Sequence, residues 1–215
     1  IAHPIHGEGW ISEWRMVKVS SREVTLELRH EARAEGFPFA YTASMHLLLD
    51  DDRLLVEISV RNDDLRPMPA GIGIHPYYRR TPDTMVRANC ARVWPAEAAA
   101  TRSSAVPVPP DWDFRVRRQL GEIDLDNSFA WWDGRYDIEW PSEGTRLTVT
   151  ADPIFRNLLI FVPKGGDHFC IEPISNAMDA FNLAELGIEG NNVSVIQPGH
   201  ILSGKVLFQP SDIAR

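Results

Sequence analysis

Two side chains in this sequence are suited to proton transfer at neutral pH, His75 and Glu172. His75 lies in GIGIHPYYRR, residues 71–80, directly before a proline. Because proline disfavours helical backbone at the residue before it, we expect His75 on extended backbone. Gly71 and Gly73 carry no side chains, which allows another strand or a ligand to approach closely. An imidazole fixed in this way suits a general acid, since its unperturbed pKa is near neutral. The alternative is a hydrogen-bonded histidine that closes a strand end.

Glu172 lies in GDHFCIEPISNAMDAFN, where charged and apolar residues alternate. If 168–172 is a strand, His168, Cys170 and Glu172 share one face. Among apolar neighbours, desolvation would raise the pKa of Glu172 towards the range of a useful base. The alternative is an edge-strand glutamate that points at water. A metal site on these three residues is disfavoured, because no second ligand pair has a recognised spacing, and we expect no metal and no cofactor.

A third group, LDNSFAWWDG at 125–134, sets Asp126 and Asn127 beside aromatic residues. Hydrogen-bonding side chains next to aromatic faces suit a sugar, whose hydroxyls need polar partners and whose C–H faces lie flat on rings. The alternative is a turn with an aromatic core patch, since Asp and Asn also favour turns. A fourth group, with His6 and Trp10, decides nothing by itself.

The elements that must position these groups have the pattern of strands. EVTLELRH alternates apolar and charged residues, which is typical of a strand with one face in water. The run 41–62 predicts a hairpin that turns at Asp50–Asp52. Further strand patterns follow at 145–152, 157–163, 168–174, 193–199 and 201–210, and helical periodicity is nearly absent. The pattern predicts an all-β fold of many antiparallel strands. The longest section without a strand pattern is 93–120, and we expect its proline-rich middle to be an extended surface excursion that could act as a lid or rim.

Composition limits the function classes. The 215 residues suffice for one large domain, 1–215, and no apolar run approaches the length of about 18 residues needed for a membrane span. A formal charge of −8 with scattered arginines argues against nucleic acid and favours a neutral ligand. Cys90 and Cys170 are too far apart for a metal-ligand spacing, so we expect free thiols and a cytoplasmic location. Because Ile1 is not an initiator methionine, we expect truncation or processing at the start.

Taken in order, five motifs give a resemblance that none gives alone: HG-x-GW, G-x-HPYY, LDNSF-x-WWDG, C-x-EP-x-SNA-x-DA and QPGHIL. The series resembles the aldose 1-epimerase (galactose mutarotase) family from His6 to the C-terminal strands. The resemblance implies an enzyme that interconverts the α and β anomers of a free aldose, with a small-molecule sugar as its partner. It also implies a large antiparallel β-sandwich of the galactose mutarotase-like supersandwich type.

The resemblance assigns the general acid to His75 and the general base to Glu172. It suggests substrate contacts for His6 and Asp126, to which we add Asn127, Tyr77 and Trp10 as candidate substrate-binding residues. We expect His75 and Glu172 to face each other across a cleft, separated by the C1–O5 edge of a sugar plus two hydrogen bonds.

The sequence departs from the family pattern in two ways. Asn127 stands where the family often has a histidine, and an amide cannot carry a proton at neutral pH. The family's N-terminal strands and a substrate-binding arginine ahead of the HG motif are not present in this sequence. Two alternatives stay open. One is a hexose-6-phosphate mutarotase, for which Arg79 and Arg80 would bind the phosphate. The other is a sugar-binding module without turnover.

Overall fold

A computed structural model describes residues 6–213 and confirms the all-β prediction. The strands are β1 Arg15–Val19, β2 Glu23–His30, β3 Tyr41–Asp50, β4 Arg53–Asn62, β5 Met68–Ala70, β6 Tyr77–Arg79, β7 Met85–Val93, β8 Val106–Pro107, β9 Arg118–Gln119, β10 Leu125–Trp140, β11 Thr145–Ala151, β12 Asn157–Val162, β13 His168–Ile174, β14 Ser194–Ile196 and β15 Ile201–Asp212. The helices are α1 Glu8–Ile11, α2 Ala98–Thr101 and α3 Ala180–Glu185, with 3₁₀ turns at Pro110–Trp112 and Pro141–Glu143.

Thirteen of these strands form one antiparallel sheet. Its main path runs β1-β2-β3-β4-β15-β11-β10-β12-β13-β6, while β7 lies along β10 and carries β8 and β9. The remaining strands, β5 and β14, pair with each other. The predicted hairpin is present, because Asp50 pairs with Arg53 and Asp51 takes the positive φ of 52° that the turn requires.

Strand β10 joins the two halves of the sheet. Residues 125–130 pair with β12, whereas residues 135–140 pair with β11. Between them the pairing with β7 shifts register, and Trp131 has a φ of 55°. The strand therefore leaves one half of the sheet and enters the other through an irregular stretch.

The two halves cover each other and enclose one main apolar core. That core includes Leu28 and Val60 from the half that contains β1–β4, and Phe169 and Ile171 from the half that contains β13. The outcome is the predicted β-sandwich, with the candidate site on the half formed by β10, β12, β13 and β6. Among residues 6–213, no helix is long and apolar enough to cross a membrane.

The 93–120 section is packed against the sheet to a greater extent than its proline content predicts. It includes α2, β8 and β9, and both short strands pair with β7. Trp94, Phe114 and Leu120 are buried. These contacts anchor the two ends of the section, whereas Val106 and Pro107 in its proline-rich middle are exposed, as expected of an excursion over the surface.

Candidate active site

His75 lies directly opposite Glu172 in an antiparallel arrangement. The segment 71–79 runs along β13, and one register holds throughout: Gly73 pairs with Ile174, Tyr77 with Cys170 and Arg79 with His168. In this register the position across from His75 is Glu172, and directly opposed residues share a face of a sheet. Backbone bonds from Ile74 N to Pro173 O, 3.1 Å, and between residues 72 and 175 anchor the segment.

The two glycines before His75 permit this close approach. A Cβ atom at position 71 would stand 1.7 Å from Oδ1 of Asn176, and a Cβ at position 73 would stand 2.7 Å from Cγ2 of Ile174. Any side chain at either position would push the segment away from the end of β13. The expectation that Gly71 and Gly73 allow another strand to approach is confirmed.

His75 and Glu172 are in direct contact. Nε2 of His75 is 3.2 Å from Oε1 of Glu172, and their side chains are 16% and 7% exposed. The two atoms are not aligned as a hydrogen bond: within the described chain, neither Nδ1 of His75 nor Oε1 of Glu172 has a hydrogen-bond partner. The predicted spacing, wide enough for a sugar edge and two hydrogen bonds, is therefore wrong. A substrate has to part the two side chains, which rotation about their side-chain bonds can achieve.

Burial disfavours the charged forms of both groups. It raises the pKa of Glu172 to about 7, and the nearby negative charge of Asp126 adds to the shift. It also lowers the pKa of His75, with a further contribution from the charge of His6. Attraction between the charged forms at 3.2 Å opposes both shifts, but desolvation is the largest cause in each case. At a pH between the lowered pKa of His75 and the pKa of Glu172, about 7, the two groups together therefore hold one proton, and the shifts favour its residence on Glu172.

Three aromatic rings surround the imidazole of His75. Tyr77 stacks on it, with ring centroids 4.8 Å apart and an interplanar angle of 14°. His6 meets it edge-on at 4.9 Å, and Trp10 is tilted against it at 5.5 Å. Trp10 and Tyr77 are each 56% exposed. These rings offer apolar faces beside the histidine, where the C–H face of a sugar could stack.

Asp126 and Asn127 point to opposite faces of the sheet. Asp126 lies across from Phe161 of β12, and Phe161 lies across from Cys170 of β13, so all three share the face of Glu172. With strands about 4.8 Å apart, Asp126 is roughly 10 Å across the sheet from Cys170. Asn127 faces the other way, is 6% exposed, and accepts a hydrogen bond from the backbone N–H of Ser128. We therefore remove Asn127 from the proposed sugar contacts.

Cys170 is part of the site, whereas His168 lies outside the group that it forms. Potential ligand atoms of His75, Cys170 and Glu172 all lie within 4.8 Å of one another. His168 shares their face, but its Nδ1 is 3.0 Å from the exposed carboxylate of Asp167. Strand alternation in the sequence predicts the common face of residues 168, 170 and 172. It does not predict that His75, in the segment before β6, approaches this face.

The arginines after the HPYY motif are occupied elsewhere. Arg79 forms an ion pair with Glu143. Arg80 donates to the carbonyl oxygens of Pro163, at 2.7 Å, and Gly121. Arg79 lies across from His168 and so shares the face of Cys170 and Glu172, but its guanidinium group is paired with Glu143, and that of Arg80 is bound by backbone carbonyls.

Phe161 is a site residue that the sequence interpretation missed. It lies between Asp126 and Cys170 on the face of the sheet that carries Glu172, which we call the cleft face after the sugar cleft that the resemblance implies. Its ring is 6.3 Å from that of His168. Alternation within 157–163 places Phe161 on the same face as Leu159, but only the pairing of Leu159 with Glu172 shows that this face carries the site.

Comparison with known proteins identifies the family of this chain. A family model described as aldose 1-epimerase matches residues 1–209. The chain belongs to the aldose 1-epimerase family. The Escherichia coli K12 protein YphB, which is named as uncharacterized, is 31% identical over 206 residues, 92% of this chain and 68% of that protein.

Solved structures of this family share the fold. An aldose 1-epimerase candidate from Escherichia coli K12 has a TM-score of 0.83 and 28% identity, over 96% of this chain and 71% of its own. A galactose mutarotase-like protein from Lactobacillus casei has a TM-score of 0.74 at 17% identity, over 93% and 73% of the two chains. An aldose epimerase homologue from C. elegans has a TM-score of 0.78 at 15% identity, over 94% and 70%. The last two likenesses concern the fold alone.

Proposed function

We propose that this aldose 1-epimerase family member interconverts the α and β anomers of a free aldose. The reaction removes the proton of the C1 hydroxyl while the ring oxygen is protonated, so that the ring opens to an aldehyde. The aldehyde group rotates and the ring closes again. One base and one acid suffice, and the observation that carries the proposal is the direct contact of His75 with Glu172.

Glu172 takes the C1 hydroxyl proton and His75 protonates the ring oxygen, and the roles reverse when the ring closes. The reaction returns both protons, so it needs a pair that holds one proton in total before the sugar enters. Below about pH 7 the raised pKa of Glu172 and the lowered pKa of His75 favour this proton on Glu172, so the step begins when the proton passes to Nε2 of His75, 3.2 Å away. We expect the active form to be lost when the pair gains a second proton or loses its only one.

Asp126, His6, Tyr77 and Trp10 form the proposed sugar contacts. Asp126 is exposed on the cleft face and carries a carboxylate that can accept hydrogen bonds from sugar hydroxyls. Trp10 and Tyr77 present half-exposed rings on either side of the imidazole. A sugar stacked on these rings would lie between the acid–base pair and Asp126.

A free sugar fits the charges of the site better than a sugar phosphate. Two carboxyl residues, Glu172 and Asp126, share the cleft face, and the charge of Asp126 already helps to raise the pKa of Glu172. Arg79 and Arg80, the candidate phosphate ligands, are engaged by Glu143 and by backbone carbonyls. A phosphate would therefore meet repulsion without a free cation from this pair.

Polarimetry on freshly dissolved α-aldoses tests the proposal. For each sugar, the approach to anomeric equilibrium is followed with and without protein, and sugar affinity is measured in parallel by titration calorimetry. We expect faster mutarotation of at least one free aldose, and no equal acceleration for its 6-phosphate. Binding without acceleration would favour a sugar-binding module, and acceleration confined to phosphorylated sugars would favour the hexose-6-phosphate alternative.

A further inference from the structure

The acid–base pair lies against the thiol of Cys170. The described residues contain one group of three or more His, Cys, Asp or Glu side chains with the spacing of a metal site, and it is His75, Cys170 and Glu172. Glu172 is 6% exposed, and its Oε1 has no hydrogen-bond partner among residues 6–213. An unpartnered, buried carboxylate oxygen is costly, and its orientation towards His75 makes it available to a ligand.

The chemical types of the three side chains suit zinc. Zn²⁺ binds thiolate sulfur at about 2.3 Å and histidine nitrogen or carboxylate oxygen at about 2.0–2.2 Å, usually in a tetrahedron. Those bond lengths require ligand atoms roughly 3.3–3.8 Å apart. The three atoms lie within 4.8 Å of one another, and the His75–Glu172 distance is 3.2 Å. Small side-chain rotations would bring them to tetrahedral spacing and leave the fourth position open to water.

We propose that His75, Cys170 and Glu172 form a zinc-binding site that excludes catalysis while it is filled. Zn²⁺ displaces the thiol proton of Cys170 into the solvent and engages the nitrogen and oxygen atoms that would otherwise transfer protons. The blocking effect rests on the proposed function, whereas zinc binding itself does not. Because Cys170 is fully buried and His75 is partly exposed, we expect zinc to enter on the side of His75.

The proposed site differs in one ligand from the group that strand alternation alone predicts, because His75 takes the place of His168. His168 and Cys170 lie on one face, but it is His75, from the neighbouring segment, whose ligand atoms come within range of Cys170 and Glu172. His168 instead contacts Asp167, a residue 99% exposed in its side chain. Substitution of His168 therefore serves as a control that keeps the same face and strand but leaves the proposed ligands intact.

Calorimetric titration of the metal-free protein with Zn²⁺ tests the site without any reference to catalysis. We expect one equivalent to bind to the parent and Cys170→Ser to bind at least about tenfold more weakly. Loss of a residue that merely supports a metal ligand already lowers metal affinity by about tenfold or more, and loss of a ligand should lower it at least as much. His168→Gln and Cys90→Ser should bind as the parent does. Circular dichroism and thermal unfolding of each variant confirm that it is folded.

Cobalt gives a second readout that depends on sulfur coordination. Co²⁺ bound in place of zinc should show a thiolate-to-metal charge-transfer band, present in the parent and in His168→Gln but absent in folded Cys170→Ser. Failure to bind Zn²⁺ at stoichiometric concentrations, or equal affinity in Cys170→Ser and the parent, would overturn the site. Binding without loss of measured mutarotation would overturn the blocking effect, and a protein that binds zinc but never mutarotates would contradict the proposed function alone.

Discussion

His75 and Glu172, 97 positions apart in the sequence, are direct neighbours across two antiparallel segments, with 3.2 Å between Nε2 and Oε1. The pairing of Gly73 with Ile174 on one side and Tyr77 with Cys170 on the other fixes this register. Because a one-residue slip would turn one side chain to the opposite face, the backbone pairing determines whether the two groups can meet. The acid–base pair is thus a consequence of strand register.

Glu172→Gln should lower the reaction rate and leave the sugar affinity nearly unchanged. The amide keeps a similar shape and can still hydrogen-bond a hydroxyl, but it cannot accept a proton at neutral pH. We expect anomer conversion to fall by at least about 10²-fold while the sugar dissociation constant changes far less. Polarimetry and calorimetry on the same sample measure the two effects.

Glu139→Gln is the matched control for this experiment. Glu139 is also a buried glutamate, but Arg146 at 2.6 Å and Arg117 at 3.0 Å pair with it away from the cleft. Its substitution should leave the catalytic rate of the folded protein close to that of the parent. A Glu172→Gln protein with full polarimetric activity would remove Glu172 from the mechanism.

The stability of the protein should depend on pH through Glu172. The pKa of Glu172 is about 7 in the folded protein, against 4.5 as its ordinary value. The folded state therefore holds this proton more tightly than the unfolded state, and the stability associated with it is complete below about pH 4.5 and is lost as the pH rises to about 7. Glu172→Gln does not titrate, so it should be more stable than the parent at pH 8 and lose that advantage towards pH 4.

Urea unfolding of the parent and both variants at pH 4, 6 and 8 measures this difference. Glu139→Gln should be less stable than the parent at pH 8, because it leaves two arginines without their carboxylate. The prediction is that the ionised Glu172 lowers the free energy of unfolding at pH 8. A Glu172→Gln protein that is less stable than the parent at pH 8, as Glu139→Gln should be, would contradict it.

Asp126→Asn should weaken sugar binding and move the alkaline limb of the pH profile. Loss of a charged acceptor should raise KM by about tenfold. The charge of Asp126 also contributes to the raised pKa of Glu172, so without it Glu172 should lose its proton at lower pH. The limb of kcat/KM near pH 7 should therefore shift to lower pH.

Asn127→Ala provides the comparison one residue further along β10. Its side chain faces away from the cleft and accepts the backbone N–H of Ser128. This variant should lose about 1 kcal/mol of stability with KM unchanged. A KM effect of equal size in both variants would place Asn127 back among the sugar contacts.

Strands with one face in water could be predicted from the sequence because their alternation is visible. Glu23–His30 and the 41–62 hairpin have such a pattern, and the predicted spans match the strands closely. Met85–Val93 also alternates, but its inward residues include Ala88 and Cys90, which give a weak hydrophobic signal. Residues 125–134 show a polar and aromatic motif instead of a strand pattern, because much of Leu125–Trp140 is buried on both faces and a two-residue period does not appear.

The members of the site could be predicted to a greater extent than its dimensions. The resemblance assigned His75, Glu172 and Asp126, and all three share one face of the sheet. The contact between His75 and Glu172 depends on how closely residues 71–75 approach β13, which no local pattern encodes. The orientation of Asn127 follows from strand parity, but only after residues 125–130 are known to be a strand.

Gly71→Ala should disrupt both stability and the acid–base pair. Its Cβ would stand 1.7 Å from Oδ1 of Asn176, so the segment or the asparagine must move. Overpacking of this kind costs about 1–3 kcal/mol, and movement of the segment would carry His75 away from Glu172 and lower kcat. Urea unfolding and polarimetry measure the two effects.

The double variant Gly71→Ala with Asn176→Ala tests the cause. The three atoms nearest to the new Cβ all belong to the Asn176 side chain beyond its own Cβ, so alanine at 176 removes every one of them. Asn176→Ala alone should cost about 1 kcal/mol through its lost hydrogen bonds to Ser175 and Ala177. If the clash is the cause, the double variant should be more stable than the two single effects predict and should recover part of kcat, because the segment can return to β13. Strictly additive losses would show that position 71 needs glycine for a reason other than this contact.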